Sequence, residues 1–208
     1  MITVGKLGPR SLKGQFVELE PLVAGHYEGL CAINNDPAVW RYLSLDGSGD
    51  GFLRWWDHAL AEMADGGSVA FAVRRLSDGA LVGSTRYLND TPSHAHVEIG
   101  WTWYVREAQG TKVNPEAKLL LMTNAFETAG YHRVELKTDS TNLRSRAAIL
   151  KLGAKEEGTL RAHVWMPSGY WRDDVYYSVL RPEWPAVKTR LQDRLIFGSR
   201  PPPDPPTR

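Results

Sequence analysis

The chain has a single cysteine, Cys31, among its 208 residues. That excludes an internal disulfide and favours a reducing compartment. Leu30, Ala32 and Ile33 surround it, the setting of a buried structural thiol rather than of a nucleophile. No apolar run approaches the roughly 20 residues of a membrane span, and no charged-then-apolar leader opens the chain. The net charge is only +1, so no global field recruits nucleic acid or an anionic membrane. The chain is therefore expected to be soluble and cytoplasmic, with neither of those partners. There is no internal repeat.

What is present suits a compact fold. Hydrophobic residues make up 42% of the chain and aromatics 10%, enough for one domain with a full core, expected over residues 1–197. Gln15–Leu19 alternates as a strand, and Leu22–Ile33 carries helical spacing. Asn34–Pro37 is a loop, Ala38–Leu45 is rich in aromatics, and Gly47–Gly51 is a break before a second helix, Phe52–Met63. Ser68–Arg74 and Ala80–Leu88 read as a hairpin turning at Ser77-Asp78-Gly79, and His94–Val105 completes a meander. A helix from Pro115 to the region of Gly130, a strand Arg133–Thr138 and a helix Asn142–Leu152 closed by Gly153 follow. Ala154–Trp165 and Tyr170–Leu180 form a last hairpin. From Gly198 the Pro-rich PPPDPP cannot build a core and is expected to be a disordered tail.

The most informative stretch is GTKVNPEAKLLL, Gly110–Leu121. A strand leads into a small-residue turn that opens an apolar helix. Asn114 suits the N-cap and Pro115 the first helical position. Free amides and the positive end of the helix dipole make such a turn an anion site. It is neither GxxxxGK[ST] nor GxGxxG, so taken alone it reads equally as a structural turn.

Taken together, several stretches resemble the GNAT superfamily of acyl-CoA-dependent N-acyltransferases, closest to the RimJ/RimL type. They are EIGWTWY at Glu98–Tyr104, GTKVNPEAKLLL, NAFETAGYHRVELKTDSTNLRSRAAILKLGAKEEGTLR at Asn124–Arg161, RDDVYYSVL at Arg172–Leu180, and Glu183-Trp184-Pro185. The resemblance implies a mixed α/β fold, a mostly antiparallel sheet of about seven strands with one splayed pair and about four flanking helices. It implies acetyl-CoA as cosubstrate, no metal, and an amine acceptor that is a protein N-terminus or a small molecule. It leaves a homodimer open.

The resemblance also implies a set of cofactor contacts. The backbone of Trp103, Tyr104 and Val105 would meet the pantetheine arm. The amides of Gly110, Thr111, Lys112, Val113 and Asn114 would hold the pyrophosphate. Arg106, Arg144 and Arg146 are candidates for the ribose phosphate, Arg146 foremost, or are solvated surface charges. The chain departs from the family's [Q/R]xxGx[G/A] pattern at Glu107 and Lys112. Glu107 is expected to face water, and the Lys112 ammonium to stay near the phosphates.

Acyl transfer from a thioester to an amine needs a deprotonated amine, a polarised carbonyl, a stabilised thiolate and alignment. Glu98, among Val97, Ile99 and Trp101, is the candidate base, its desolvation expected to raise the carboxyl pKa. The alternative is a solvent-facing residue of an alternating strand. His96 shares its face and is either a proton relay or an exposed strand histidine. By the resemblance, Asn142 contacts the pantetheine arm and Ser145 donates to the leaving sulfur. The plainer reading makes them the N-cap and N3 residues of one helix. Trp40, Tyr42, Trp55 and Trp56 are either the aromatic wall of the acceptor site or core. Two other classes compete with the enzyme: a non-catalytic acyl-CoA-binding sensor and a protein-interaction domain. The near-neutral balance argues against ribosome docking by bulk charge.

Overall fold

The computed structural model describes residues 3–198. All its strands join one sheet. They are β1 Leu12–Lys13, β2 Val17–Pro21, β3 Ser68–Arg75, β4 Leu81–Thr91, β5 His96–Tyr104, β6 Arg133–Asp139, β7 Lys155–Trp165 and β8 Trp171–Leu180. The order across the sheet is β1-β2-β3-β4-β5-β6-β8-β7. Every neighbouring pair is antiparallel except β5–β6, which is parallel. Six α-helices accompany it: α1 Tyr27–Ala32, α2 Pro37–Trp40, α3 Phe52–Ala64, α4 Val113–Thr123, α5 Leu143–Leu152 and α6 Trp184–Phe197. This is the expected mixed α/β architecture with its splayed pair, enlarged by the two-residue β1, the single turn α2 and the C-terminal α6.

Local chemistry explains most boundaries. Asp36 caps α2, its Oδ1 accepting from the Ala38 amide at 3.0 Å, and Pro37 opens the turn with its φ already helical. Asn142 caps α5 and Gly153 closes it at φ +111°, a conformation that glycine adopts without penalty. The helix expected over Leu22–Ile33 is shorter. Val23 stays extended, Ala24–His26 forms a 3-10 turn, and only Tyr27–Ala32 is α-helical. α6 was not expected. It begins after Glu183 with Pro185 in its first turn and buries Trp184, Val187, Leu191 and Leu195. The expected tail lies, beyond Gly198 itself, outside the described residues.

Two cores flank the sheet. On one face α4 and α6 pack with β2, β8 and α5 around Leu121, Met122, Phe126, Val134 and Leu191. The other face carries an aromatic core of Trp40, Phe52, Trp55, Trp56 and Trp103 with Leu22 and Leu30. Trp103 from β5 meets Trp40 at 4.9 Å and Trp55 at 5.5 Å between ring centroids. These rings lock α2 and α3 to the centre of the sheet, since burying each large apolar side chain contributes roughly 2–3 kcal/mol. Cys31 is half-buried at the edge of this core rather than fully enclosed.

Candidate active site

The splay follows directly from the strand register. β5 and β6 pair only over His96–Glu98 and Arg133–Glu135. Beyond that rung Ile99–Tyr104 and Leu136–Asp139 diverge, and a cavity of about 350 Å³ opens between them. On its other side β5 stays paired to β4, but with one extra residue: Arg86 faces Gly100 while Ser84 faces Trp103. The bulge puts Trp101 at φ +48°. That strain is held by packing, with the Arg86 guanidinium 4.8 Å above the Trp101 ring and the His58 ring at 5.2 Å.

The cavity runs from the start of α4 to the end of the β5–β6 ladder. Gly110 and Asn114 line it beside the turn, and Asn142 and Ser145 of the α5 N-terminus line it as well. Among the described residues, the amides of Gly110, Thr111, Lys112 and Asn114 donate to no protein backbone acceptor. Gly110 sits at φ +76°, which opens the turn. The helix begins at Val113, so Asn114 lies inside its first turn and is not the expected cap. Thr111 fills that role in part, its Oγ1 donating to the Ala108 carbonyl at 2.7 Å and accepting from the Val113 amide at 3.3 Å.

The departures from the family pattern resolve simply. Glu107 is exposed. Lys112 holds its Nζ 4.4 Å above the Phe16 ring, so its ammonium is drawn to that aromatic face and not to the turn. Arg146 lies outside the cavity lining, engaged with Tyr177 at 3.1 Å, the Ser140 carbonyl at 3.2 Å and Glu156 at 3.3 Å. Arg144 does line the cavity and bonds Gln109, whose Nε2 donates to the Tyr104 carbonyl at 2.8 Å. Trp103 and Tyr104 line the cavity, while Val105 is buried and donates its amide to Val82 at 2.9 Å. Thr111 and Lys112 of the turn, and Val113 at the start of α4, do not line the cavity.

At the far end is Glu98, 2% exposed and on the last paired rung. It is not a solvent-facing strand residue. Its Oε2 accepts from Asn89 Nδ2 at 2.8 Å and from Lys137 Nζ at 3.1 Å. Among the described residues Oε1 has no donor, and it lies beside Gly100, whose missing side chain leaves it room. His96 stays outside the cavity, with Nδ1 3.9 Å from Glu135. Asn142 and Ser145 form the expected cap, the Ser145 amide donating to Asn142 Oδ1 at 3.1 Å, and both still line the cavity.

The aromatic expectations divide. Tyr42 lines the cavity. Trp40 and Trp55 do not: they are 1% and 0% exposed and belong wholly to the aromatic core, because α2 and α3 turn those rings inward onto Trp103. Among the charged and amide side chains of the lining, four had not been anticipated: Gln109, Lys118, Lys137 and Arg172. Arg172 of β8 holds the segment after α2, donating from Nη1 to the Tyr42 carbonyl at 2.9 Å while pairing with the buried Asp174 at 2.7 Å. Lys118 carried a legible signal, a lysine in line with Leu121, Met122 and Ala125 on an apolar helical stripe.

A divergent parallel pair beside a bulged strand, with a free-amide turn and a buried carboxylate on one cavity, makes a groove open to an extended ligand. The acetyltransferase (GNAT) domain family matches residues 17–155. The chain belongs to that family. It is 34% identical over 113 residues to YdaF of Bacillus subtilis, provisionally named a ribosomal N-acetyltransferase. That match covers 54% of this chain and 61% of YdaF, so the chain spans less than two thirds of that relative's length. A GCN5-related N-acetyltransferase from Brucella melitensis superposes with a TM-score of 0.87 at 28% identity, covering 94% of this chain and 89% of that one. Mycobacterium smegmatis RimJ, at 22% identity and a TM-score of 0.73 over 91% and 93% of the two chains, shares the fold. No helix among the described residues is long and apolar enough to cross a membrane, and no grouping of three or more His, Cys, Asp or Glu there could hold a metal.

Proposed function

We propose that this N-acyltransferase moves the acetyl group of acetyl-CoA to a primary amine by direct transfer within a ternary complex, in the cytoplasm, with residues 1–197 acting as one domain. The observation that carries this reading is the single cavity joining the free-amide turn at Gly110 to the buried Glu98 carboxylate. The diphosphate of the cosubstrate suits those amides and the α4 dipole. The pantetheine arm suits the unpaired edge of β5 at Trp103 and Tyr104, with Asn142 opposite.

The acceptor enters past Tyr42 and the bulge. A primary amine is almost wholly protonated at neutral pH, so it must lose a proton before its lone pair attacks the thioester carbonyl carbon. Glu98 Oε1 is free to take that proton through water, and Lys137 holds the other oxygen of the carboxylate in place. As the carbon–sulfur bond breaks, the thiolate needs a donor. The Ser145 hydroxyl supplies a hydrogen bond there, weakly acidic but well sited. Acceptors of two kinds, protein N-termini and small amines, fit this chemistry, and the name of YdaF favours the first. The exposure of Glu107 removes the repulsion that would favour a non-catalytic sensor.

The deciding experiment is calorimetric titration with acetyl-CoA beside dephospho-CoA, followed by an amine screen read as thiol release. One-site binding with thiol release for some amine is the expected result. Absence of binding at millimolar concentration sinks the proposal, and binding without thiol release for any amine favours the sensor.

A further inference from the structure

Lys118 stands on the second turn of α4, about 6 Å along the helix from Asn114 at 1.5 Å per residue. It is 6% exposed and lines the cavity. Its Nζ donates to Thr102 Oγ1 at 2.8 Å and to Thr85 Oγ1 at 3.4 Å, and the two hydroxyls are themselves 2.8 Å apart. Thr102 belongs to the bulge that widens β5 between Gly100 and Trp103. Lys118 therefore meets the cavity wall at the bulge, about one helical turn past Asn114.

No carboxylate balances it. Among the described residues Lys118 forms no ion pair, and burial alone pushes its pKa down to about 7. The buried glutamates are committed elsewhere. Glu116 accepts the amides of Gln15, Phe16 and Val17, and Glu98 pairs with Lys137. One N–H of the ammonium has no acceptor among the described residues. Buried charges are ordinarily paired, because leaving one alone costs several kcal/mol. An acetyl methyl beside this group would gain nothing from it. A carboxylate would gain a charge-assisted hydrogen bond from the remaining N–H of the ammonium.

We infer that Lys118, held by Thr102, forms a subsite for an acyl group that ends in a carboxylate, so that beside acetyl-CoA the enzyme takes dicarboxylic monothioesters such as malonyl-CoA or succinyl-CoA and binds them more tightly. The inference rests on the acyl-CoA reading above and extends its donor class. In such a transfer the whole acyl group, terminal carboxylate included, passes to the amine and CoA leaves as the thiol. Lys118 makes no covalent bond.

Binding tests this without knowledge of the acceptor. The full chain is titrated calorimetrically with CoA, acetyl-CoA, malonyl-CoA and succinyl-CoA, and the series is repeated on Lys118→Met and Lys118→Gln. At least one dicarboxylic thioester is expected to bind about tenfold or more tightly than acetyl-CoA, the worth of one hydrogen bond to a charged group. The variants are expected to lose that preference, with free CoA as the reference ligand. Equal or tighter binding of acetyl-CoA by the wild type overturns the inference, as does a preference that survives in either variant. Failure of CoA itself to bind is a separate outcome, which removes the acyl-CoA reading and this subsite with it.

Discussion

Lys137 reaches from β6 to place its Nζ 3.1 Å from Glu98 Oε2, where the β5–β6 ladder ends and the cavity begins. The pair does two things. It compensates the burial of a carboxylate that is 2% exposed, and with Asn89 it occupies one oxygen so that the other remains free. Glu98 raises the pKa of Lys137 in turn, against the opposing effect of burial, so the ammonium stays charged across neutral pH.

Replacing Glu98 with Gln keeps the volume and the Asn89 contact but removes the proton acceptor. The rate of acyl transfer should fall about a hundredfold or more, the usual worth of a positioned general base, with little change in donor KM. The check is kcat against pH for wild type and variant. Full activity of the variant from about pH 6 to 9 would show that some other group, or water alone, takes the proton.

Lys137→Met leaves the Glu98 carboxylate buried without its counter-charge. Removing one partner of a buried pair costs about 3 kcal/mol or more, whereas removing both is far milder. The double variant Glu98→Gln with Lys137→Met should therefore regain much of the stability lost in Lys137→Met alone. Urea unfolding of the four proteins gives the coupling energy, and strict additivity would mean that the pair contributes nothing.

Features set by neighbours in sequence were legible; those set by distant contacts were not. The β3–β4 hairpin at Ser77-Asp78-Gly79 and the Asn142 cap with Gly153 depend on residues a few positions apart, and they stand where their turn chemistry puts them. Glu98 could be placed on β5, but the Lys137 that balances it comes through the register of a parallel pair whose strands are separated by α4. Trp40 and Trp55 have the same local pattern whether they wall a cavity or fill a core. Only the docking of α2 and α3 on Trp103 decides it. The same holds for α6, whose apolar positions Trp184, Val187, Leu191 and Leu195 are diluted by charges until α4 covers them.

Glu116 fastens the start of the sheet to α4. Its carboxylate accepts the amides of Gln15 at 2.9 Å and of Phe16 and Val17 at 2.6 Å each. Gly14 permits the approach, since a Cβ there would lie 2.4 Å from the carboxyl carbon. Glu116→Gln turns an NH2 toward one of those N–H groups and should cost about 2 kcal/mol, with Glu116→Ala costing more. Gly14→Ala should reproduce part of the loss. Urea midpoints unchanged in all three would show that β2 holds its place without this anchor.

Lys118 gives the protein a particular dependence of stability on pH. Burial lowers its folded pKa from 10.5 to about 7. Between those values the unfolded chain holds a proton that the folded chain has released, so this residue makes stability rise with pH through that window. Below about pH 7 both states are charged and the full penalty applies; a shift of this size corresponds to roughly 5 kcal/mol. Methionine fills similar space without a charge. Lys118→Met should therefore be the more stable protein at pH 6.5, with an advantage that shrinks steadily toward pH 10. Groups common to both proteins cancel in the difference between the two urea-unfolding series. Parallel curves from pH 6.5 to 10 would mean that Lys118 titrates alike in the folded and unfolded chains, and that its ammonium is not isolated in the way its surroundings indicate.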